Sequence, residues 1–165
     1  MGPLEGIRVI DLSTVLMGPY CAQTLGEYGA DVIKVEPPAG DLIRDLSPER
    51  HKGMGAVFLN ANRGKRSVAI DLKTPDGQAV MRGLIESADV FLSNVRPRAL
   101  ARLGLDPESL CAGNDQLVYA SLVGYGQQGA YAARPAYDDL IQGGSGFSHL
   151  MAIGGDGTPR YAPNA

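Results

Sequence analysis

The sequence predicts an α/β fold, in which an open and mainly parallel sheet is flanked by helices. Short apolar runs rich in β-branched residues alternate along the chain with segments of helical apolar spacing. Glycine and proline stand at the junctions between the two kinds of segment. Because a β-α-β connection joins parallel strands through a right-handed crossover, this alternation indicates parallel rather than hairpin pairing.

The first 36 residues predict one such β-α-β unit. The run Gly6–Leu12 is almost continuously apolar, as in a strand that is covered on both faces. Pro19 suits the first turn of a helix, where its missing N–H is not needed, and Gly29 suits the exit from that helix. The second strand then contains three β-branched residues, Val32, Ile33 and Val35.

The middle of the chain predicts a long loop followed by a second strand and helix. The segment 37–54 is polar and irregular, which is typical of a loop. Residues 67–72 form the next apolar run and predict a strand. Thr74 then serves as an N-cap with Pro75 in the first turn, so a helix is expected to begin there.

The remaining elements follow from the same signals. Residues 90–92 and 117–123 predict two further strands. Pro97 predicts the start of a helix that Gly104 ends, and the pair Asp106-Pro107 predicts the start of a short one. Residues 137–142 have helical character, whereas the glycine- and proline-containing tail after Gly154 has no apolar period.

Composition limits the class of protein. A chain of 165 residues allows one ordinary domain, and its net charge of −3 gives no support for a nucleic-acid partner. We find no apolar stretch long enough to span a bilayer and no signal-peptide pattern, so we expect a cytoplasmic protein without a membrane partner. Cys21 and Cys111 have no close spacing, and no cluster of His, Cys, Asp or Glu predicts a metal site.

Basic residues surround the ends of two predicted strands. Ligands of open α/β sheets bind beyond the carboxyl ends of the strands. Arginine binds phosphate oxygens in a bidentate way, and lysine supplies a point charge. This cluster is suited to a phosphorylated nucleotide carrier, and the alternative is that these charged loop residues are solvated surface. The candidate residues are Lys65, Arg66, Lys73, Asn94, Arg96, Arg98 and Arg102.

Several ordered motifs resemble those of one enzyme family. They are residues 6–12, the pair Gly18-Pro19, and residues 29–38, 60–74, 89–97 and 120–126. Together they resemble the N-terminal part of the class III (CaiB/BaiF-type) coenzyme A transferases, which include formyl-CoA transferases and are related to α-methylacyl-CoA racemases. Members of that family are more than twice as long as this chain.

The resemblance implies an architecture. Residues 1–165 would be the N-terminal part of a large, Rossmann-like, CoA-binding α/β domain, incomplete relative to the full family fold because the remainder of the family's chain is absent. The family's usual assembly is an interlocked homodimer in which each chain is threaded through its partner.

The resemblance also implies a reaction. The full-length enzyme would move coenzyme A between an acyl-CoA and a free carboxylic acid through an aspartyl intermediate, without a metal. By alignment the nucleophilic aspartate falls just beyond Ala165, so we expect no catalytic residue in this chain and no activity from the chain alone. Asp156 lies in a Gly-Gly-Asp-Gly segment, which predicts a turn residue rather than a substitute nucleophile.

The family's contacts to coenzyme A can be carried over residue by residue. They imply a set of carrier-binding positions in this chain: Leu16, Met17, Ile70, Asp71, Leu72, Lys73, Asn94, Val95, Arg96, Arg102, Tyr137 and Asp138. Two positions depart from the formyl-CoA transferases. Pro37 replaces a basic residue that contacts the carrier. Leu16 replaces a glutamine beside the thioester, which argues against formate and oxalate and favours a more apolar acyl group.

Two alternative functions stay open at this point. The first is a 2-methylacyl-CoA racemase, but that branch has a His-Asp pair where this chain has Tyr137-Asp138. Tyrosine, with an unperturbed pKa of about 10, is a poorer base at neutral pH than histidine, with a pKa of about 6.5. The second alternative is a non-catalytic module for coenzyme A binding or assembly.

Overall fold

Five parallel strands form one sheet in the computed structural model, which describes residues 2–162. The strands pair in the order β3-β2-β1-β4-β5, and every pairing is parallel. The predicted α/β fold with an open parallel sheet is thus confirmed. The strands are β1 (Arg8–Leu12), β2 (Asp31–Glu36), β3 (Arg66–Ala69), β4 (Val90–Ser93) and β5 (Val118–Ser121).

The described part of the chain contains seven α-helices. They are α1 (Met17–Glu27), α2 (Ala56–Ala61), α3 (Pro75–Glu86), α4 (Pro97–Arg102), α5 (Pro107–Cys111), α6 (Asp138–Gly144) and α7 (Phe147–Ile153).

The helix starts predicted from capping residues are confirmed. Thr74 Oγ1 accepts a hydrogen bond of 3.1 Å from Gly77 N at the start of α3. Asp106 Oδ1 accepts one of 2.9 Å from Ser109 N at the start of α5. Each cap satisfies a backbone donor that the first helical turn leaves without a partner, so the local sequence alone determines where these helices begin.

The predicted loop from Pro37 to Met54 is wrong in one part. A 3-10 helix, Leu42–Asp45, lies within it, and Asp41 caps this turn by accepting a hydrogen bond of 3.2 Å from Ile43 N. A single turn is too short to show an apolar period, which explains why the sequence pattern did not reveal it.

The two faces of the sheet differ in character. On one face, Ile10, Ile33 and Phe91 pack with apolar side chains of α3, α4 and α5 in a single core. On the other face, Val9, Val32 and Leu92 pack with Ala22 of α1 in a smaller cluster. Toward the carboxyl ends of β1 and β2 this second face becomes charged, with three buried residues, Asp11, Lys34 and Glu36.

The chain divides after Leu122 into two compact units. The first contains the sheet and helices α1 to α5, and the second begins at Val123 and contains α6 and α7. In the first unit, the strand order reverses between β1 and β4, and this is the place where open α/β sheets bind ligands. Among residues 2–162, no helix has the length and apolar character that a bilayer crossing requires.

Candidate functional site

A cleft lies beyond the carboxyl ends of β1, β2 and β3. Its volume is about 380 Å³, and α4 forms one side of it. Leu12, Val35 and Leu103 form apolar parts of its wall, and Pro37 also borders it. The structure brings together five of the predicted carrier-binding residues at this cleft: Ile70, Asp71, Leu72, Lys73 and Arg102.

Two cations of the cleft are available to an anionic ligand. Lys73 and Arg102 are both exposed. Within the described residues, the ion pairs of the protein involve neither side chain. The Asp71 carboxylate accepts a hydrogen bond of 3.0 Å from the backbone N–H of Lys73, which fixes the loop after β3 without using the ammonium group. An apolar cleft with two free cations suits a ligand that has a flat ring and phosphates.

Five more of the predicted residues lie in the loops after β1 and β4 or at the first residue of the helix that follows. Leu16 immediately precedes α1, and Met17 is its first residue. Asn94 and Val95 follow β4, and Arg96 is the exposed N-cap residue of α4. Because β1 and β4 are neighbours in the sheet, these loops lie side by side at the strand-order reversal.

The Asn94 side chain joins these two loops directly. Its Oδ1 accepts a hydrogen bond of 2.9 Å from Thr14 N, and its Nδ2 donates one of 2.7 Å to Thr14 O. Ser93 Oγ adds a buried hydrogen bond of 2.9 Å to Leu12 O. The loop after β1 is therefore anchored on the side that faces β4.

A buried charged layer supports the same loop from β2. Lys34 Nζ donates a hydrogen bond of 2.8 Å to Ser13 O and lies 3.0 Å from Asp41 Oδ2. The exposed fraction of each of these two charged side chains is only 1%. Asp41 Oδ2 has no well-aligned hydrogen bond within the described part of the chain, so its contact with Lys34 is one of charge rather than of directed bonding.

Lys65 and Arg66 do not line this cleft, and the structure does not support their prediction as candidate carrier-binding residues. Lys65 Nζ lies 2.8 Å from Asp11 Oδ2 and donates a hydrogen bond of 2.7 Å to Pro19 O. The exposed fraction of its side chain is 2%. Arg66 pairs with Asp31 at the amino end of the sheet. Both residues stand where β3 begins, whereas the ligand edge is where the strands end.

Burial and pairing shift two pKa values in this charged layer. Burial lowers the pKa of Lys65, and the charge and hydrogen bond of Asp11 offset only part of this effect. Burial alone would raise the pKa of Glu36, but hydrogen bonds from Arg44, Ser67 and the Asp41 N–H outweigh it and lower that pKa to about 2. Glu36 is therefore an ionised, structural carboxylate.

Tyr137 and Asp138 belong to the second unit, so the structure places them only within that unit. Tyr137 is the N-cap residue of α6, and its exposed fraction is 69%. Asp138 Oδ2 accepts a hydrogen bond of 2.5 Å from Gln142 Nε2. The turn predicted at Asp156 is confirmed, because its Oδ1 accepts a hydrogen bond of 3.0 Å from Thr158 N.

The comparisons with known proteins decide the family. Residues 4–165 match the profile of CoA-transferase family III. The chain belongs to this family. It is 48% identical over 169 residues to the succinate–glutarate CoA-transferase of Agrobacterium fabrum, and this match covers 97% of the chain but only 42% of the relative. It is 40% identical to the beta subunit of succinyl-CoA–L-malate CoA-transferase of Chloroflexus aurantiacus, with 95% and 39% covered.

A solved structure supports the same assignment. A CaiB/BaiF family protein from Brucella suis superposes with a TM-score of 0.91 at 42% sequence identity. The superposition covers 99% of this chain and 44% of that protein. The resemblance to class III coenzyme A transferases is thus confirmed, and the chain spans less than half the length of the relatives it matches.

The sequence analysis did not identify Ser13, Lys34 and Asp41, whose contacts with one another hold the loop after β1. A signal for one of them was present. Lys34 interrupts the β-branched residues of β2, and a lysine inside a fully buried strand requires a partner. The identity of that partner depends on folding, because the contact joins different elements of the chain.

Proposed function

We propose that this chain is the N-terminal part of an enzyme that moves coenzyme A between an acyl-CoA and a free carboxylic acid. Family membership supports coenzyme A transfer in general, and the cleft supports the role of this part of the chain. The observation that carries the proposal is that Lys73 and Arg102, both exposed cations, border one apolar cleft at the carboxyl ends of parallel strands.

The proposed binding mode uses the residues of the cleft and the residues that follow β1 and β4. The apolar walls of the cleft would hold the adenine ring, and Lys73 and Arg102 would bind phosphate oxygens through charge-assisted hydrogen bonds. Leu16, Met17 and Arg96, in the loops after β1 and β4, would lie along the thioester end of the carrier. Tyr137 and Asp138 are proposed as further contacts from the second unit.

The proposed chemistry is a sequence of acyl exchanges on an aspartate carboxylate outside residues 1–165. The carboxylate attacks the thioester carbonyl, a mixed anhydride forms, and the CoA thiolate leaves. The thiolate then attacks the aspartyl carbonyl, which gives an aspartyl-CoA thioester and releases the first carboxylic acid. The acceptor carboxylate then attacks the aspartyl-CoA carbonyl, which forms a second mixed anhydride and releases the CoA thiolate. The thiolate attacks the acyl carbonyl of the acceptor, so that a new acyl-CoA forms and the aspartate is regenerated. This chain would hold and orient the carrier.

The two named relatives act on succinate with glutarate and on succinyl-CoA with malate, according to their names. We propose a short dicarboxylic acid with an aliphatic chain, such as glutarate, as one substrate. Leu16 supports this choice because a methylene chain can pack against an apolar side chain, whereas oxalate has no methylene group. For the whole protein we also propose a cytoplasmic, interlocked homodimer.

Calorimetric titration with coenzyme A tests the binding role. We expect Arg102→Ala, Lys73→Ala and Arg96→Ala each to weaken binding by about 1–3 kcal/mol, because each removes a charge-assisted hydrogen bond. Arg82→Ala is the matched control, since Arg82 is exposed on α3 and does not border the cleft. Identical affinities for all four variants and the parent would contradict the proposal.

A further inference from the structure

Val15 has a backbone conformation that its side chain disfavours. Its φ angle is +70°, and it is the only residue other than glycine with a positive φ among residues 2–162. A β-branched side chain in this region is a genuine outlier, because Cβ approaches the following carbonyl oxygen. Such a conformation persists only where the surrounding structure enforces it, and it is common at functional sites.

Asn94 supplies that enforcement from the neighbouring strand. Its amide contacts both polar groups of Thr14, at 2.9 Å to the N–H and 2.7 Å to the carbonyl oxygen. Thr14 directly precedes Val15, so fixing the two peptide groups of Thr14 fixes the direction from which the chain enters Val15. The two partners are 80 residues apart in sequence, and both bonds are partly buried.

The opposite side of the loop is fixed as well. Lys34 Nζ holds Ser13 O at 2.8 Å, and Asp11 Oδ1 accepts from Ser13 N at 3.0 Å. Gly18 of α1 packs so closely on Ser13 that an added Cβ would stand 2.3 Å from the Ser13 Cβ. With β1 on one side and α1 on the other both fixed, Val15 must absorb the change of direction between them.

We propose that Asn94 is a positioning residue: its side-chain amide holds Val15 in the left-handed conformation and thereby sets the position of Leu16 and Met17 for the acyl-CoA. This inference rests on the proposed function, in which those two residues lie along the thioester end of the carrier. It assigns Asn94 a role through Thr14, because one acceptor site and one N–H of its amide bind the two polar backbone groups of Thr14.

The conformation of Val15 can be measured without any ligand. A positive φ shortens the distance between HN and Hα of the same residue, so the intraresidue nuclear Overhauser effect of Val15 is strong in the parent. We expect it to weaken to that of an extended residue in Asn94→Ala and to stay strong in the control Asn60→Ala. Asn60 is an exposed asparagine whose Nδ2 donates to Ala56 O of its own helix. Asn94→Asp keeps an acceptor for Thr14 N, so we expect an Overhauser effect at Val15 between those of the parent and of Asn94→Ala. This variant replaces Asn94→Ala in the experiment if Asn94→Ala does not fold.

Coenzyme A titration then separates positioning from direct contact. Asn94→Ala should weaken binding by roughly tenfold. Val15→Gly alone should bind within about twofold of the parent, because glycine adopts a positive φ without a steric cost. The double variant Val15→Gly/Asn94→Ala should recover most of the lost affinity, since glycine no longer needs Asn94 to enforce the turn.

Two results would overturn the inference. One is a strong Overhauser effect at Val15 in Asn94→Ala, and the other is an affinity loss that Val15→Gly does not reduce, which indicates direct contact between Asn94 and the carrier. If the parent itself does not bind coenzyme A, the proposed function is wrong, and Asn94 then has no carrier to position. The coupling between Asn94 and Val15 is decided separately, by the Overhauser effect.

Discussion

Lys65 places its ammonium nitrogen 2.8 Å from Asp11 Oδ2, although 54 residues separate the two along the chain. The exposed fractions of the two side chains are 2% and 0%. The same ammonium group donates to Pro19 O of α1 and to Asn62 Oδ1. One cation thus connects the end of β1, the first turn of α1 and the segment before β3. The first two of these elements flank the loop that we propose to contact the thioester.

Removing this cation should destabilise the fold strongly. In Lys65→Met the Asp11 carboxylate stays buried without its charge partner, and such a loss costs about 3–5 kcal/mol. Urea unfolding followed by circular dichroism measures the change. The control is Arg63→Met, because the Arg63–Glu27 pair is largely exposed, with fractions of 67% and 49%. Exposed pairs contribute about 0–1 kcal/mol, so an equal loss in both variants would contradict the argument.

The low pKa of Glu36 predicts acid sensitivity. Its pKa falls from an ordinary value of 4.5 to about 2 in the folded chain, so the folded state favours the ionised form. The resulting stabilisation, on the order of 3 kcal/mol, is complete above pH 4.5 and is lost as the pH falls from there toward 2. We expect Glu36→Gln to be less stable than the parent at neutral pH and to lose less stability across this acid window.

Urea midpoints at a series of pH values test this expectation. Glu86→Gln, at the exposed end of α3, controls for the loss of one surface charge. If the stability of Glu36→Gln decreases with acid as steeply as that of the parent, Glu36 is not the group responsible.

Two glycine substitutions should have opposite effects. In Gly18→Ala the new Cβ would stand 2.3 Å from Ser13 Cβ and 2.4 Å from Ser13 Oγ, so α1 or the loop after β1 must move. Overpacking of this kind costs about 1–3 kcal/mol. Gly83 lies inside α3, and an added Cβ there meets nothing within 4 Å. Gly83→Ala should therefore stabilise the chain by about 1 kcal/mol, since alanine favours helix. Thermal unfolding of both variants measures this contrast.

Local chemistry explains which parts of this fold could be predicted from the sequence. The starts of α3 and α5 are encoded by a capping side chain followed by proline, and both predictions are confirmed. Residues 70–73 border the cleft because they directly follow β3 in a parallel sheet, whereas only the family resemblance implies that they contact the carrier.

Long-range contacts explain what could not be predicted. Lys65 looked like a solvated cation near a ligand site, but a buried carboxylate from another strand binds it. The resemblance implies that Asn94 contacts the carrier, and the structure adds a contact of its amide with the backbone of Thr14, 80 residues away. Neither partner is near in sequence, so no local pattern reveals it. The positive φ of Val15 is equally hidden, because valine gives no sequence signal for that conformation.

A basic side chain at position 37 should strengthen carrier binding. Pro37 is exposed and borders the cleft with Lys73 and Arg102. We expect Pro37→Arg to tighten coenzyme A binding by about 1 kcal/mol through one more charge-assisted contact, and the gain should shrink as salt is added. Pro38→Arg is the matched control, because Pro38 is also exposed but does not border the cleft. Calorimetry at low and high salt compares the two. Equal gains in both variants would indicate a general charge effect, whereas a gain confined to Pro37→Arg would place a phosphate group of the carrier beside residue 37.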